Sequence, residues 1–146
     1  MAQRIETAKR TINGTWGEVW VDGEKIAECT ACQLKIANNK QTVNLCGQYM
    51  EDSKGTSGSG TGSLTLYHVD SGFARKQSGI QNGVDRRFTV VSKLADPDSY
   101  GAERVAAYNV SFDDLTLADW KAATVGTVTK PFTFTRYELL DQIQAE

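Results

Sequence analysis

Residues 52–71 read DSKGTSGSGTGSLTLYHVDS, a segment that begins like a flexible linker and continues without a break as a β-strand. Residues 54–63 contain only Lys, Gly, Ser and Thr, and an alternation typical of a strand then runs from Leu64 to Asp70. Linkers usually separate domains, but 146 residues match the usual size of one domain. The sequence therefore predicts a single domain over residues 1–146 that contains the linker-like run.

Composition and charge narrow the class of protein. Apolar residues make up 40% and charged residues 23% of the chain, which is typical of a globular protein. The 16 basic and 18 acidic residues leave a net charge of −2, which provides no basic field for gripping phosphates and argues against a nucleic-acid-binding protein. No apolar run approaches the length of a membrane span, and the N-terminal MAQRIETAKR lacks a hydrophobic signal segment. We therefore expect a protein without a membrane anchor that is made and kept in the cytoplasm.

The cysteines raise the question of a metal or redox site. Cys29 and Cys32 have the C-x-x-C spacing, Cys46 is the third cysteine, and His68 is the one histidine that a zinc site would have as its fourth ligand. The surrounding AECTACQLKIANN reads as a strand, on which residues three apart face opposite sides. The cysteines are therefore interpreted as small buried residues, and no cofactor is expected.

Strand patterns dominate the chain. TWGEVWV and EKIAE flank Asp22 and Gly23, a pair that suits a type I′ hairpin turn, and the second arm is expected to continue through Ile36. Further alternation is found in RRFTVVSKL, RVAAYNVSF and TVTKPFTFTRYELL. The predicted fold is mainly β, a sandwich or barrel-like sheet with one or two short helices packed on it.

Two short helices are predicted. In TLADWKAA, Thr116 is a candidate N-cap and Asp119 follows three residues later, as in a capping box. Trp120 is then expected to pack this helix on the sheet. Residues 73–80 are the second candidate.

Catalytic motifs are scarce. His68 lies in a predicted strand and there is no G-x-S-x-G elbow, while the GSGTG glycines precede a strand instead of joining a strand to a helix. The adjacent acids Glu51 and Asp52, like Asp113 and Asp114, are typical of solvated loops. The sequence does not predict an enzyme.

Five blocks of sequence resemble one family in order and spacing: NGTWGEVWVDGEKIAE, GSLTLYHVDS, DPDSYGAERVA, VSFDDLTLADW and PFTFTRYELLD. Together they resemble the tail tube proteins of contractile-tailed phages, and most of all those of Gram-positive hosts, a group that includes defective prophages and phage-tail-like bacteriocins. The segments that depart most are CTACQLKIANNKQTVNLCGQYM and GFARKQSGIQNGV.

The resemblance implies a barrel-like subunit that assembles as hexameric rings stacked into a hollow tube. It implies a surrounding tail sheath protein, a baseplate or tube initiator, and a tape-measure protein inside the lumen. In a phage the channel passes DNA transiently, and in a bacteriocin the tube is an empty needle. Assembly is expected in the bacterial cytoplasm, with release in a virion or tail-like particle.

Tube proteins of this kind carry a long loop that reaches the adjacent ring, and residues of about 47–62 match its position. Because Gly, Ser and Thr disfavour a core, the loop is expected to be loosely held in a free subunit, with Tyr49 and Met50 as apolar anchors at its base. A C-terminal tail is placed at about residues 140–146. The expected interaction residues are Tyr49, Met50, Glu51, Asp52, Lys54, Gly55, Ser57, Gly58 and Gly60.

Two other classes stay open. A soluble β-sandwich binding module would use exposed Trp or Tyr residues as its site. A baseplate hub or tube initiator with the same fold would form one ring and stop.

Overall fold

The computed structural model describes residues 7–144 and confirms a mainly β fold with short helical segments. Within those residues there is no helix with the length and apolar character to cross a membrane. The single α-helix among them, α1, covers Gly72–Lys76, and a 3-10 turn follows at Ile80–Asn82, so the helix predicted at 73–80 is confirmed in part. The strands are β1 (Gly17–Val21), β2 (Glu24–Lys25), β3 (Cys29–Val43), β4 (Asp52–Tyr67), β5 (Phe88–Leu94), β6 (Glu103–Phe112), β7 (Thr127–Phe134) and β8 (Arg136–Asp141).

The strands form two antiparallel sheets that share β6. The first sheet has the order β2-β1-β5-β6-β8, and the second has the order β3-β4-β7-β6. β6 changes partner at Asn109, whose φ of 58° is a left-handed conformation that asparagine tolerates. The Asn109 Nδ2 donates a hydrogen bond to the Thr135 Oγ1 (3.1 Å) at the bend between β7 and β8. This shared strand closes the two sheets into a barrel-like sandwich.

Apolar side chains from both sheets fill the space between them. Phe112 lies at the centre, and its ring centroid is 5.3 Å from Phe73, 5.2 Å from Phe88 and 5.6 Å from Phe132. These tilted and edge-to-face pairs are the arrangement that aromatic quadrupoles favour. The buried core is Val19, Val21, Ile26, Leu64, Leu66, Phe88, Val90, Ala107, Val110, Phe112, Phe132 and Phe134.

The first hairpin confirms one prediction and corrects another. Asp22 and Gly23 both have positive φ, 51° and 81°, as a type I′ turn requires. The second arm, however, ends at Lys25, and the chain crosses to the other sheet before β3 begins. A bulge in β3 between Cys29 and Ala31 adds one residue, so Cys29 and Cys32 both pack against the core instead of facing opposite sides.

The helix predicted from Thr116 is wrong. Residues 113–126 contain no helix, and Ala123 has a φ of 57°, which an α-helix does not allow. Trp120 is 85% exposed, so it does not pack on the sheet of its own subunit. A cap-like pair of residues does not stabilise so short a helix when no apolar surface covers it.

β8 reaches the start of the predicted C-terminal tail, about residues 140–146. β8 extends to Asp141 and pairs that residue with Arg104 of β6. Residues 145 and 146 of the predicted tail lie outside the described part of the chain.

Candidate assembly interface

A long β-hairpin occupies the position of the predicted inter-ring loop. β3 and β4 pair along their whole length, from Cys29 opposite Leu66 to Val43 opposite Asp52. β7 covers β4 only from Gly60 onward, so within the described residues the end of the hairpin is two-stranded. We call residues 37–59 the arm. Its strands, seven residues of β3 and eight of β4, project about 25 Å beyond the body, at roughly 3.3 Å per residue.

The prediction of a loosely held segment at 47–62 is therefore wrong for most of its length. Only residues 44–51 lie outside the strands, and β4 begins at Asp52. Cross-strand bonds also come from side chains: the Thr56 Oγ1 donates to the Asn39 O (2.9 Å), and the Asn39 Nδ2 donates to the Ser57 Oγ (3.1 Å). A segment without apolar side chains is ordered here because the ladder uses backbone groups.

The predicted interaction residues are spread along the arm. Tyr49 and Met50 are 99% and 74% exposed in the connecting loop, so these apolar residues lie at the tip of the arm and not at its base. Glu51 is beside them, and Gly60 lies at the root, where β7 joins β4. The remaining predicted residues lie on the exposed part of β4: Asp52, Lys54, Gly55, Ser57 and Gly58.

Two glycines at the root have a packing reason. A Cβ on Gly60 would lie 2.6 Å from the Phe134 O and 2.7 Å from the Phe134 ring. A Cβ on Gly62 would lie 2.5 Å from the Gln33 O and 2.7 Å from the Phe132 ring. The linker-like composition thus makes room for two phenyl rings from the neighbouring strand.

The outward side of the second sheet is rich in hydroxyl groups. The register places the odd-numbered residues of β4 from Ser57 to Thr65 on this side, while Leu64 and Leu66 face the core. Lys35 is the one charged residue of the set. We call this set the hydroxyl face: Ala31, Gln33, Lys35, Ala37, Asn39, Ser57, Ser59, Thr61, Ser63, Thr65, Thr129, Pro131 and Thr133.

An apolar loop is exposed between β6 and β7. In this loop, residues 113–126, the side chains of Leu117, Trp120 and Val125 are 82%, 85% and 73% exposed. The sequence pattern assigned Trp120 to a helix and did not identify Leu117 and Val125 as exposed. The three-residue spacing of Leu117 and Trp120 is also typical of one face of a helix. We call the segment the apolar loop.

Buried Lys130 fixes the start of the apolar loop. Its Nζ donates to the Asp114 O (2.8 Å) and to the Gln77 Oε1 (2.9 Å), and it lies 5.4 Å from the centroid of the Phe73 ring. Burial lowers the pKa of Lys130, and the negative charge of Asp114 partly opposes this effect. At the other end, the His68 N–H donates to the Gly126 O (2.9 Å). The loop is held at both ends, so its apolar residues stay on the surface.

A groove of about 530 Å³ opens between β3 and β8. Burial raises the pKa of the Cys32 thiol on its wall to about 11, which keeps this thiol protonated and unreactive near neutral pH. Within residues 7–144, no three His, Cys, Asp or Glu residues converge as a metal site. We call this the intersheet groove; its lining is Cys32, Gln33, Leu34, Lys35, Ile36, Ser92, Leu94, Glu103, Val105, Phe134, Tyr137 and Leu139.

Comparison with known proteins agrees with this architecture. The sequence pattern of the family described as phage tail tube protein matches residues 5–141. Two Bacillus subtilis (strain 168) proteins are similar over nearly their whole length. The uncharacterized protein YqbM is 33% identical over 94% of this chain and 96% of its own, and the phage-like element PBSX protein XkdM is 32% identical over 93% and 95%.

Solved structures share the fold. A chain from the sheath-tube complex of an extracellular contractile injection system, in the extended state, superposes with a TM-score of 0.65. The match covers 92% of both chains at 17% identity. At this identity the likeness concerns the fold alone.

Proposed function

The chain belongs to the phage tail tube protein family, a family of structural proteins and not of enzymes, and from this membership we propose that six subunits form a ring and that rings stack into the hollow inner tube of a contractile tail. The observation that carries the proposal is the arm. It extends away from the core, so contacts with the core do not stabilise it. A lone subunit gains little from a two-stranded extension of this length, because an isolated hairpin is marginally stable in water.

The arm is suited to joining one ring to the next. Its strands present backbone N–H and C=O groups along edges that another chain can extend. Tyr49 and Met50 at the tip add apolar surface for burial in the adjacent ring. Pairing of β3 with β4 restricts the arm before contact, so docking costs less than the roughly 1–2 kcal/mol per residue needed to order a fully flexible segment.

We assign the hydroxyl face to the lumen. Ser and Thr side chains hydrogen-bond water, and each subunit contributes one cation, Lys35, to this face, so most of the wall consists of neutral groups that hold phosphate weakly. DNA in a phage, or a tape-measure protein during assembly, can then slide along it. A tail-like particle without DNA would use the same tube as a membrane-piercing needle.

The opposite side of the subunit suits the sheath. The outward side of the first sheet carries charges of both signs, including Arg136, Glu138 and Lys93, and the Tyr108 hydroxyl donates to the Glu138 Oε2 (3.0 Å). Mixed charge of this kind favours a specific protein partner. We propose that subunits assemble on a baseplate initiator in the bacterial cytoplasm and leave the cell in the completed particle.

Electron microscopy of the purified protein tests this function. Hollow filaments of uniform width with six-fold symmetry are the expected result. Single rings that never stack would instead support a baseplate hub or tube initiator. A protein that stays monomeric at high concentration, even with initiator and sheath present, would overturn the proposal.

A further inference from the structure

We propose that the apolar loop of one subunit docks in the intersheet groove of the next subunit along the tube, with Trp120 inserted between β3 and β8. This inference rests on the proposed stacking and names a second contact between rings, besides the arm. The occupant of the groove is a second copy of this chain.

The apolar loop has the character of a contact surface. Leu117, Trp120 and Val125 are each more than 70% exposed within one short segment. Clustered apolar exposure of this kind marks an interaction site, and tryptophan is among the side chains that contribute most to interfaces. Hydrogen bonds to the Asp114 O and the Gly126 O fix the two ends of the loop, which limits the region that its apolar residues can reach.

The intersheet groove is an apolar counterpart. Leu34 and Val105 form its walls, and Tyr137 and Leu139 at the β8 side remain about half exposed, at 51% and 48%. Its volume of about 530 Å³ lies within the range of sites that bind apolar groups, roughly 300–1,000 Å³. An indole ring therefore fits with room for a second apolar side chain.

The loop and the groove lie at opposite ends of the subunit. β7 begins at Thr127, directly after the loop, and ends at Phe134 on the groove wall, about 25 Å away at 3.3 Å per residue. Leu117 lines the same surface pocket as Leu66 and Phe73, at the end of β4 that is remote from the arm. A contact between two such ends is head-to-tail, and contacts of this type propagate into filaments.

The arm leaves the body at the groove end, because its root is at Gly60, opposite Phe134. A copy whose apolar loop enters the groove would therefore lie alongside the arm. The two contacts join the same pair of rings, and each holds the partner in place for the other.

Charge favours the same pairing. The apolar loop contains Asp113, Asp114 and Asp119 against a single Lys121. The groove lining contains one charge of each sign, Lys35 and Glu103, and Lys40 follows on β3 in the arm. The acidic loop therefore repels a second copy of itself, which disfavours a loop-to-loop contact, and is attracted to Lys40 at the groove end of the subunit.

Thiol crosslinking tests the docking. Ala122→Cys, two residues from Trp120, and Glu103→Cys on the groove wall are combined with Cys46→Ser and Cys32→Ser, which remove the exposed native thiol and the native thiol that lines the groove. After assembly, a short thiol-specific crosslinker is added, and the sample is divided between denaturing electrophoresis and electron microscopy. The two variants that carry one engineered cysteine each, in the same background, are the controls, because without Cys32 one engineered thiol cannot build a loop-to-groove chain.

The expected result is a ladder of covalent oligomers in the double variant alone, together with tubes. Tubes without a ladder would overturn the docking and leave the tube function standing. A ladder without tubes would support the docking and overturn the tube function, and the absence of both would overturn both.

A substitution gives an independent readout of the same contact. Trp120→Ala is expected to raise the critical concentration for tube growth by about 30-fold or more, as loss of a buried interface tryptophan does. Val84→Ala, which truncates an apolar residue that is 58% exposed elsewhere on the surface, is the matched control and should leave it unchanged. Equal critical concentrations for the two variants would overturn the docking of Trp120.

Discussion

Gly62→Ala should destabilise the subunit although it changes one hydrogen to a methyl group in a segment that resembles a linker. The new Cβ would lie 2.5 Å from the Gln33 O and 2.7 Å from the Phe132 ring. The ring can turn only within a packed core, and the carbonyl belongs to the β3 backbone, so one strand must move. Overpacking of this kind costs about 1–3 kcal/mol.

The same strand provides matched controls. At Gly55 a Cβ would meet nothing within 4 Å, and at Gly58 it would make an ordinary contact, 3.6 Å from the Ile36 Cγ2. Because glycine is about 0.5–1 kcal/mol less favourable than alanine within a strand, Gly55→Ala and Gly58→Ala should be neutral or slightly stabilising. The difference between Gly62→Ala and these two controls thus separates the contact with the Phe132 ring from the general effect of replacing a glycine.

Urea unfolding followed by tryptophan fluorescence, at concentrations too low for assembly, measures the difference. The midpoint for Gly62→Ala should fall with an unchanged slope, while those for Gly55→Ala and Gly58→Ala should stay level or rise. Equal midpoints for Gly62→Ala and Gly55→Ala would refute the packing of Phe132 over the root of the arm.

Three further predictions follow from the exposed and buried groups. Tyr49→Ser combined with Met50→Ser should leave the melting temperature unchanged and yield rings that fail to stack, seen by calorimetry and electron microscopy; normal tubes would contradict the role of the tip. Trp120→Ala should change the unfolding free energy of the free subunit by less than about 0.5 kcal/mol, since exposed residues rarely contribute more; a loss of 3 kcal/mol, as for core aromatics, would show that Trp120 is buried in its own subunit. Lys130→Met should remove a pH dependence of the free energy of unfolding. Burial lowers the pKa of Lys130 in the folded state from 10.5, so the unfolded chain binds more protons in the window below 10.5. The free energy of unfolding of the wild type therefore rises with pH in that window. Parallel stability profiles of wild type and Lys130→Met through that window would contradict this.

The sequence predicts the strands of the body well because their side chains alternate between core and solvent. Val19 and Val21 share the core-facing side of β1, and the turn at Asp22 and Gly23 follows from the left-handed conformations that these residues tolerate. These features depend on neighbours within a few residues. Local pattern is sufficient for them.

The arm and the apolar loop depend on distant parts of the chain. The Phe132 ring, 70 residues away in sequence, leaves no space for a side chain at position 62. The arm is ordered by backbone pairing between β3 and β4, which composition does not reveal. For Trp120, a cap-like motif indicated a helix, but among residues 7–144 no surface covers that side chain. Sequence pattern does not show whether an apolar residue is buried in its own subunit or kept for another.

Cryo-electron microscopy of tubes grown from the purified protein tests the central proposal most directly, because a traced map shows where the arm of each subunit ends. We predict that residues 37–59 cross to the adjacent ring, with Tyr49 and Met50 buried there and the hydroxyl face lining the channel. An arm that folds back on its own ring, or a hydroxyl face turned to the outside of the tube, would contradict the account.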